Sequence, residues 1–353
     1  MLTENINSIM HKSMRQSNFE LLRIICMLGV LMLHADFMAL GSPTQNELLE
    51  CTLYCVVRTF IESFTVVASN VFILISGWWG INFRVKSIGN LFFQVFYFTF
   101  GIYTVMVLLG ILPFEYVYIY SCLILKDNAW FVKCYIGLMI LAPALNAMFK
   151  VMEEKQIKIL LICFFTFQTL FGWLFPTSVS FIQAGYSTFS FMGLYLLGRY
   201  VKEYKPFWSK WRPSSDIFVY GVLASVLALG ILVSIYIGSS SGPCILLNYT
   251  NPILIIASLY LLLAFSKISI YSKTINYVAE SCFAVFMFQF ILFEKYMIPW
   301  ILHINENYQG IIMLLLITSS LCLFYIAAII IDKPRIFMWK KIMVISQNNK
   351  GQQ

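Results

Sequence analysis

The sequence predicts an all-α, polytopic membrane protein: a bundle of about ten spanning helices with both termini in the cytoplasm. Of its 353 residues, 60% are hydrophobic and only 11% are charged, whereas a soluble domain carries about 25% charged residues. A bilayer accommodates so much apolar surface because lipid contacts the outside of every helix. The basic residues lie in short clusters between apolar runs, a distribution that sets membrane orientation and is not typical of nucleic-acid binding.

Ten apolar runs correspond to the stretches of about 20 residues that cross a hydrocarbon core. They are residues 20–40, 64–81, 88–112, 129–149, 157–175, 185–201, 216–237, 250–266, 278–301 and 309–331. We predict a cytoplasmic N-terminal segment over 1–19, a transmembrane domain over 20–331 and a basic cytoplasmic tail over 332–353. No small-residue cleavage site follows the first apolar run, so we do not expect a cleaved signal peptide.

Charge along the chain predicts the orientation. With the N-terminus inside, 19 of the 24 lysines and arginines fall in cytoplasmic segments. The predicted outer loops carry acidic residues instead, namely Glu47, Glu50, Glu62, Glu115, Asp127 and Glu306. This asymmetry supports an even number of spans. Connections between the spans reach only roughly 20 residues, so any activity must lie within the bundle or at its mouths.

The first apolar run contains the richest set of ionisable residues, in RQSNFELLRIICMLGVLMLHADF. Such residues are costly inside a membrane and usually face the bundle interior. Arg23 and His34 are eleven residues apart, which places them about 20° from the same helix face and roughly 16 Å apart along the axis. Glu20 lies within about 40° of the same line as His34. A buried neutral imidazole can act as a general base. We therefore predict catalytic roles for His34 and Glu20, against the alternative that His34 only packs.

Two further groups of polar residues lie in and after the second run. Asn70 and Ser76 are inside it, and Arg84 and Lys86 follow it. Small residues such as Ser76 also permit close helix contact, which is a purely structural reading. Arg84 and Lys86 could bind phosphates or only enforce the orientation, and the residues alone leave both open.

Later runs contribute Trp130, Tyr135 and Gln289. The two aromatic residues could equally form part of an interfacial belt. Gln289 can donate and accept hydrogen bonds but cannot transfer protons as a base.

Nine cysteines are scattered along the chain with no CxxC pair and no histidine spacing suited to a metal, so we predict no metal site. Cys51, Cys55 and Cys244 are placed where outer loops could pair them, but unpaired thiols are the expected state.

Several segments, in their order along the chain, resemble the integral-membrane acyltransferase family 3. They are NFELLRIICMLGVLMLHADF, NVFILISGWWGINFRVKSI, AWFVKCYIGLMILAPALN, FMGLYLLGRYVKEY, NPILIIASLYLLLAFSKI and IDKPRIF. The first contains the family's Arg-x10-His spacing as Arg23 and His34. Members include polysaccharide, lipopolysaccharide and Nod-factor O-acetyltransferases. The resemblance covers nearly the whole chain.

The resemblance implies transfer of an acyl group, usually acetyl, from cytoplasmic acyl-CoA to a hydroxyl of a cell-envelope or exported glycan. It implies a multi-pass protein of a bacterial cytoplasmic membrane, with acyl-CoA as co-substrate and no permanently bound cofactor. His34 would handle the proton or the acyl group. The donor would be held by Arg23, Arg84 and Lys86. The acceptor would be supported by Asn70, Ser76, Trp130, Tyr135 and Gln289.

Two positions depart from the family pattern. Many relatives have Tyr-Leu-Ile-His where this chain has Phe-Met-Phe-Gln, ending at Gln289, and Arg-x-x-Arg where it has Arg84 and Lys86. A catalytically inactive family member is therefore one alternative. Another is a transporter, flippase or polymerase of envelope glycans. A transporter should show internal repeats and a polymerase a large outer loop, and neither is evident in the sequence.

Overall fold

A computed structural model of the chain describes residues 16–124, 129–177 and 180–350. Every regular element in these ranges is a helix, which confirms the all-α prediction. Most of the predicted N-terminal segment, residues 1–15, and the last three residues of the predicted tail lie outside the described residues.

The first four long helices contain several of the predicted site residues. Helix α1 (Ser17–His34) continues as a π-helical turn over Ala35–Leu40. Helices α2 (Thr52–Thr65) and α3 (Ala68–Trp79) together form one apolar segment. Helix α4 (Val85–Phe96) continues through a second π-helical turn into a short helix over Ile102–Leu108.

Eight further helices complete the bundle. They are α5 (Trp130–Val151), α6 (Glu154–Gln168), α7 (Thr188–Tyr204), α8 (Pro213–Tyr236), α9 (Pro252–Ser266), α10 (Cys282–Leu292), α11 (Ile298–Asn307) and α12 (Gly310–Lys350). Shorter helices lie between them, over Gln45–Glu50, Tyr116–Ile124, Gly242–Leu246 and Lys273–Ala279. Helix α12 runs on past residue 331, so the predicted tail is helical as far as Lys350.

Seven helical segments within the described residues are long and apolar enough to cross a membrane, or eight if the bent pair Lys273–Gln289 and Phe293–Asn307 is one span. Helices α7 and α9 have only 17 and 15 residues. The count of ten spans and the cytoplasmic location of both ends therefore stay predictions.

The start of the second predicted span is wrong. The sequence placed it at residue 64, but α2 already begins at Thr52. Arg58 and Glu62 belong to this helix, and both are buried in the bundle, with exposed fractions of 4% and 1%. Hydropathy cannot distinguish a loop from a helix whose polar face is directed at the bundle interior. For this reason the charges of Arg58 and Glu62 suggested a loop. Glu62 is thus a buried helical residue and does not belong to an outer loop.

Helices α3 and α7 pack backbone to backbone through small residues. A Cβ atom on Gly77 would lie 2.1 Å from the carbonyl oxygen of Tyr195, and one on Gly198 would lie 2.4 Å from that of Leu74. Only glycine permits this approach, as in other closely packed membrane helices. The side chain of Asn146 then fixes the chain after α3, because it donates to the carbonyl of Ile81 at 3.0 Å and accepts from the Tyr195 hydroxyl at 2.7 Å.

Several charged residues in the interior form ion pairs. Arg58 donates to Asp36 at 2.6 Å, and Arg335 donates to Asp332 at 2.6 Å. Lys267 also bonds to Asp216, whose side chain is fully buried. Pairing of this kind is expected because an isolated charge in a low-dielectric interior is costly.

Candidate active site

One face of α1 lines a cavity of about 810 Å³ in the bundle. Along α1 and the π-helical turn that follows it, the lining residues are Arg23, Met27, Val30, Leu33, His34, Phe37 and Met38, which lie within about 140° of one another around the helix axis and so form one broad face. From Arg23 to Met38 the cavity follows α1 and the π-helical turn after it for roughly 22 Å. The structure therefore brings Arg23 and His34 to the same wall of one cavity.

The imidazole of His34 is held by Gln289 on α10. Nδ1 of His34 lies 2.5 Å from Oε1 of Gln289, and the ring of Phe293 packs edge-on at 6.2 Å between centroids. In the neutral imidazole, this contact with an amide oxygen, which can only accept, favours the tautomer with its proton on Nδ1. Nε2 then keeps its lone pair. Gln289 thus favours the tautomer in which a basic nitrogen is available beside the cavity.

At the other end of this wall, which we call the Arg23 end, a carboxylate holds the guanidinium in place. Arg23 donates to Oε1 of Glu20 at 2.9 Å, and Glu20 is only 4% exposed. Glu20 does not line the cavity. It lies fourteen residues before His34, roughly 21 Å along the helix. That separation excludes direct proton exchange between the two. The structure gives Glu20 a contact with Arg23, and its catalytic role stays a prediction.

The two other predicted donor-binding residues lie outside the cavity lining. Arg84 precedes the first turn of α4 and Lys86 lies in that turn, and both are exposed. Ser87 and Asn90, which follow directly on α4, do line the cavity. Trp79, the last residue of α3, packs on Phe19 of α1 at 5.2 Å between ring centroids, so the chain that contains Arg84 and Lys86 leaves α3 at the end of α1 where Arg23 lies.

Ser76 and Tyr135 meet in the wall of the cavity. The Ser76 hydroxyl donates to the carbonyl of Phe72 at 3.0 Å and lies 3.4 Å from the Tyr135 hydroxyl. Both residues line the cavity. Two hydroxyl groups thus form part of the cavity wall between the aromatic and aliphatic side chains that also line it.

Three aromatic residues line the cavity near the start of α3, whose other end packs on Phe19 of α1. We call this part of the cavity the aromatic end. The ring centroid of Tyr186 lies 4.4 Å from that of Trp130 and 5.2 Å from that of Tyr249. Asn70 does not line the cavity but donates to the carbonyl of Tyr249 at 3.2 Å. The hydroxyl of Ser69 donates to that of Tyr249 at 3.4 Å. Asn70 therefore supports the aromatic end from behind.

Several residues that line the cavity were not predicted as site residues, among them Tyr186, Tyr249 and Glu62. Glu62, on α2, shares the cavity lining with His34. Its signal was present in the sequence, because Arg58 and Glu62 are four residues apart and so share a helix face. That face went unrecognised because the second span was predicted to begin after it.

Other predictions concern metals and disulfides. Among the described residues there is no group of three or more histidine, cysteine, aspartate or glutamate side chains that could hold a metal ion. Cys51, Cys55 and Cys244 are all free thiols. Cys51 and Cys244 are exposed, whereas Cys55 is buried.

Comparison with known proteins identifies the family. A family model described as an acyltransferase domain, that of acyltransferase family 3, matches residues 16–333. No curated protein and no solved structure matches the chain. The matched range contains every residue of the cavity described above. The chain therefore belongs to acyltransferase family 3 and is an acyltransferase.

Proposed function

We propose that this protein transfers an acyl group, usually acetyl, from acyl-CoA to a hydroxyl of a cell-envelope or exported glycan, in a bacterial cytoplasmic membrane. The observation that carries the proposal is the single cavity that has Arg23 near one end and the His34 imidazole further along the same wall. An enzyme that moves an acyl group from a charged nucleotide donor to a polyol needs a cation that binds the donor and a base that activates the hydroxyl. A passage must connect the two.

The donor enters at the Arg23 end in this proposal. The nucleotide of acyl-CoA carries phosphates, which cannot leave water cheaply. Arg23 lines this end, and exposed Arg84 and Lys86 are close to it. A guanidinium held by a carboxylate, as Arg23 is by Glu20, is pre-oriented for charge-assisted bonds to phosphate. The narrow, uncharged pantetheine arm then lies along the cavity and brings the thioester to His34.

His34 moves the proton. Nε2 accepts the proton of the glycan hydroxyl as its oxygen attacks the thioester carbonyl, and a C–O bond forms. The tetrahedral intermediate collapses when the C–S bond breaks, and the departing thiolate takes the proton from Nε2 to give coenzyme A. The bond from Nδ1 to Gln289 persists throughout and stabilises the transient imidazolium. General base catalysis of this kind contributes about 10²–10⁴-fold.

The acceptor occupies the aromatic end. Trp130, Tyr186 and Tyr249 offer flat apolar faces with polar edges, a combination suited to a sugar ring, which is apolar on its faces and polar at its rim. Thioester and hydroxyl meet at His34 because each is held from its own end of the cavity. Such positioning replaces a bimolecular encounter with an effectively unimolecular one.

The decisive test is substitution of His34. Glycan extracted from a strain that lacks the gene is incubated with acetyl-CoA and purified protein in lipid nanodiscs, and glycan-bound acetyl esters are measured. We expect His34→Ala to lower the rate about 10²–10⁴-fold. The control is His303→Ala, since His303 is an exposed histidine on α11.

Two outcomes count against the proposal. Full acylation by His34→Ala would remove His34 from the mechanism. No transfer by the wild-type protein to any extracted glycan would favour the inactive family member that Gln289 suggests.

A further inference from the structure

Glu62 is a carboxyl group without a partner in the wall of the cavity. The residue is 1% exposed, and its Oε1 atom is buried with no hydrogen-bond partner. It nevertheless lines the cavity that contains His34. A buried carboxyl that accepts no hydrogen bond is costly. Such a group is expected where a bound ligand supplies the missing hydrogen bond.

The pairing of α1 with α2 places Glu62 close to the level of His34. Arg58 bonds to Asp36, and a Cβ on Gly29 would lie 3.5 Å from Cβ of Thr65. Between these two contacts the residue number rises by seven along the first segment, from Gly29 to Asp36. It falls by seven along α2, from Thr65 to Arg58, as expected for antiparallel neighbours. Glu62 therefore lies level with residue 32. It is two residues from His34 along the helix axis, which corresponds to roughly 3 Å.

Arg58, the cation nearest to Glu62 on α2, already bonds to other groups. Arg58 is one turn before Glu62, but its guanidinium bonds to Asp36 at 2.6 Å and to the carbonyl of Gly41. No ion pair joins Arg58, or any other cation of the described residues, to Glu62. The buried pair thus neutralises Asp36 and leaves the Glu62 carboxyl for a ligand.

We propose that Glu62 is a specificity-determining residue that accepts a hydrogen bond from a second hydroxyl of the saccharide acceptor, beside the hydroxyl that His34 deprotonates. This inference rests on the proposed function. A sugar presents hydroxyls on adjacent carbons, so one can bind Glu62 while its neighbour faces Nε2 of His34. A ligand with a single hydroxyl cannot satisfy both groups. Glu62 would therefore select polyols and decide which hydroxyl is acylated.

The test compares Glu62→Leu and Glu62→Gln with the wild-type protein, again in nanodiscs, with acetyl-CoA and glycan from the strain that lacks the gene. Loss of a charge-assisted hydrogen bond should lower kcat/KM for the glycan about 10- to 100-fold in Glu62→Leu. Glu62→Gln should lose less, because an amide oxygen still accepts. The KM for acetyl-CoA should not change. NMR of the product should show the acetyl ester spread over more than one hydroxyl.

A matched control is Glu50→Gln, since Glu50 is an exposed glutamate outside the cavity, and we expect wild-type kinetics from it. Thermal unfolding separates this role from a structural one. Glu62→Gln replaces a buried carboxyl that has no hydrogen-bond partner in the protein, so its Tm should not fall, whereas a carboxyl with a structural partner would lose stability on the same change.

Wild-type kcat/KM and an unchanged ester position in Glu62→Leu would overturn the inference while leaving the proposed function intact. A wild-type protein that acylates no glycan would instead remove the proposed function.

Discussion

Replacing Gln289 tests whether the amide takes the place of the histidine that many relatives have there. In Gln289→Leu the proton on Nδ1 of His34 loses its acceptor at 2.5 Å. The ring can then adopt either tautomer and more than one orientation. A hydrogen bond to a group that becomes charged contributes about 1.5–3 kcal/mol, and the imidazolium that forms during transfer is such a group. We therefore expect kcat to fall about 10- to 150-fold.

The change should appear in kcat and leave the KM for acetyl-CoA nearly unchanged, because Gln289 bonds to His34 and does not line the cavity. The assay follows release of coenzyme A with a thiol reagent at saturating extracted glycan. Gln289→His should remain close to wild type, since an imidazole can also accept the proton of Nδ1. Gln168→Leu is the matched control, because Gln168 is a buried glutamine on α6 that does not line the cavity.

A wild-type kcat in Gln289→Leu would refute the reasoning, since it would mean that His34 needs no partner to fix its tautomer. An equal loss in Gln168→Leu would also refute it, because the effect would then be a general cost of removing a buried amide. Protein yield and Tm of both variants show whether the loss is one of catalysis or of folding.

Three further predictions concern the donor and the packing of the bundle. Arg23→Ala should raise the KM for acetyl-CoA about 10- to 100-fold through loss of a phosphate contact, as measured by initial rates, and an unchanged KM would place the donor elsewhere. Gly198→Val should abolish folded protein, because its Cβ would lie 2.4 Å from a backbone carbonyl oxygen, and size-exclusion chromatography should show aggregation. Arg58→Leu leaves Asp36 as a buried, uncompensated charge and should destabilise by about 3–5 kcal/mol, whereas the double variant with Asp36→Leu should recover much of the Tm. If the double variant recovers none of the lost Tm, the broken Arg58–Asp36 ion pair is not the cause of the destabilisation.

The first helix was predictable from the sequence, and the reason is local. An α-helix repeats every 3.6 residues, so the shared face of Arg23 and His34 follows from their spacing alone. The structure adds that Met27 and Val30 complete this face along the cavity. The helical class follows equally directly from the apolar composition. Where two or more spans meet, spacing within one segment no longer decides which residues touch.

Gln289 and Glu62 show what local spacing could not supply. Gln289 and His34 are 255 residues apart in the chain, so their bond depends on how α10 packs against α1. Glu62 was assigned to a loop because charged residues interrupt the apolar pattern of this segment. The charge of Arg58 on α2 is tolerated inside the bundle because it pairs with Asp36, which follows α1. In a membrane bundle the polar residues that depart most from the hydropathy pattern are those whose partners lie on other helices or in the substrate. Residues such as Glu62, whose partner the protein itself does not provide, are therefore the ones to test first for contact with the acceptor.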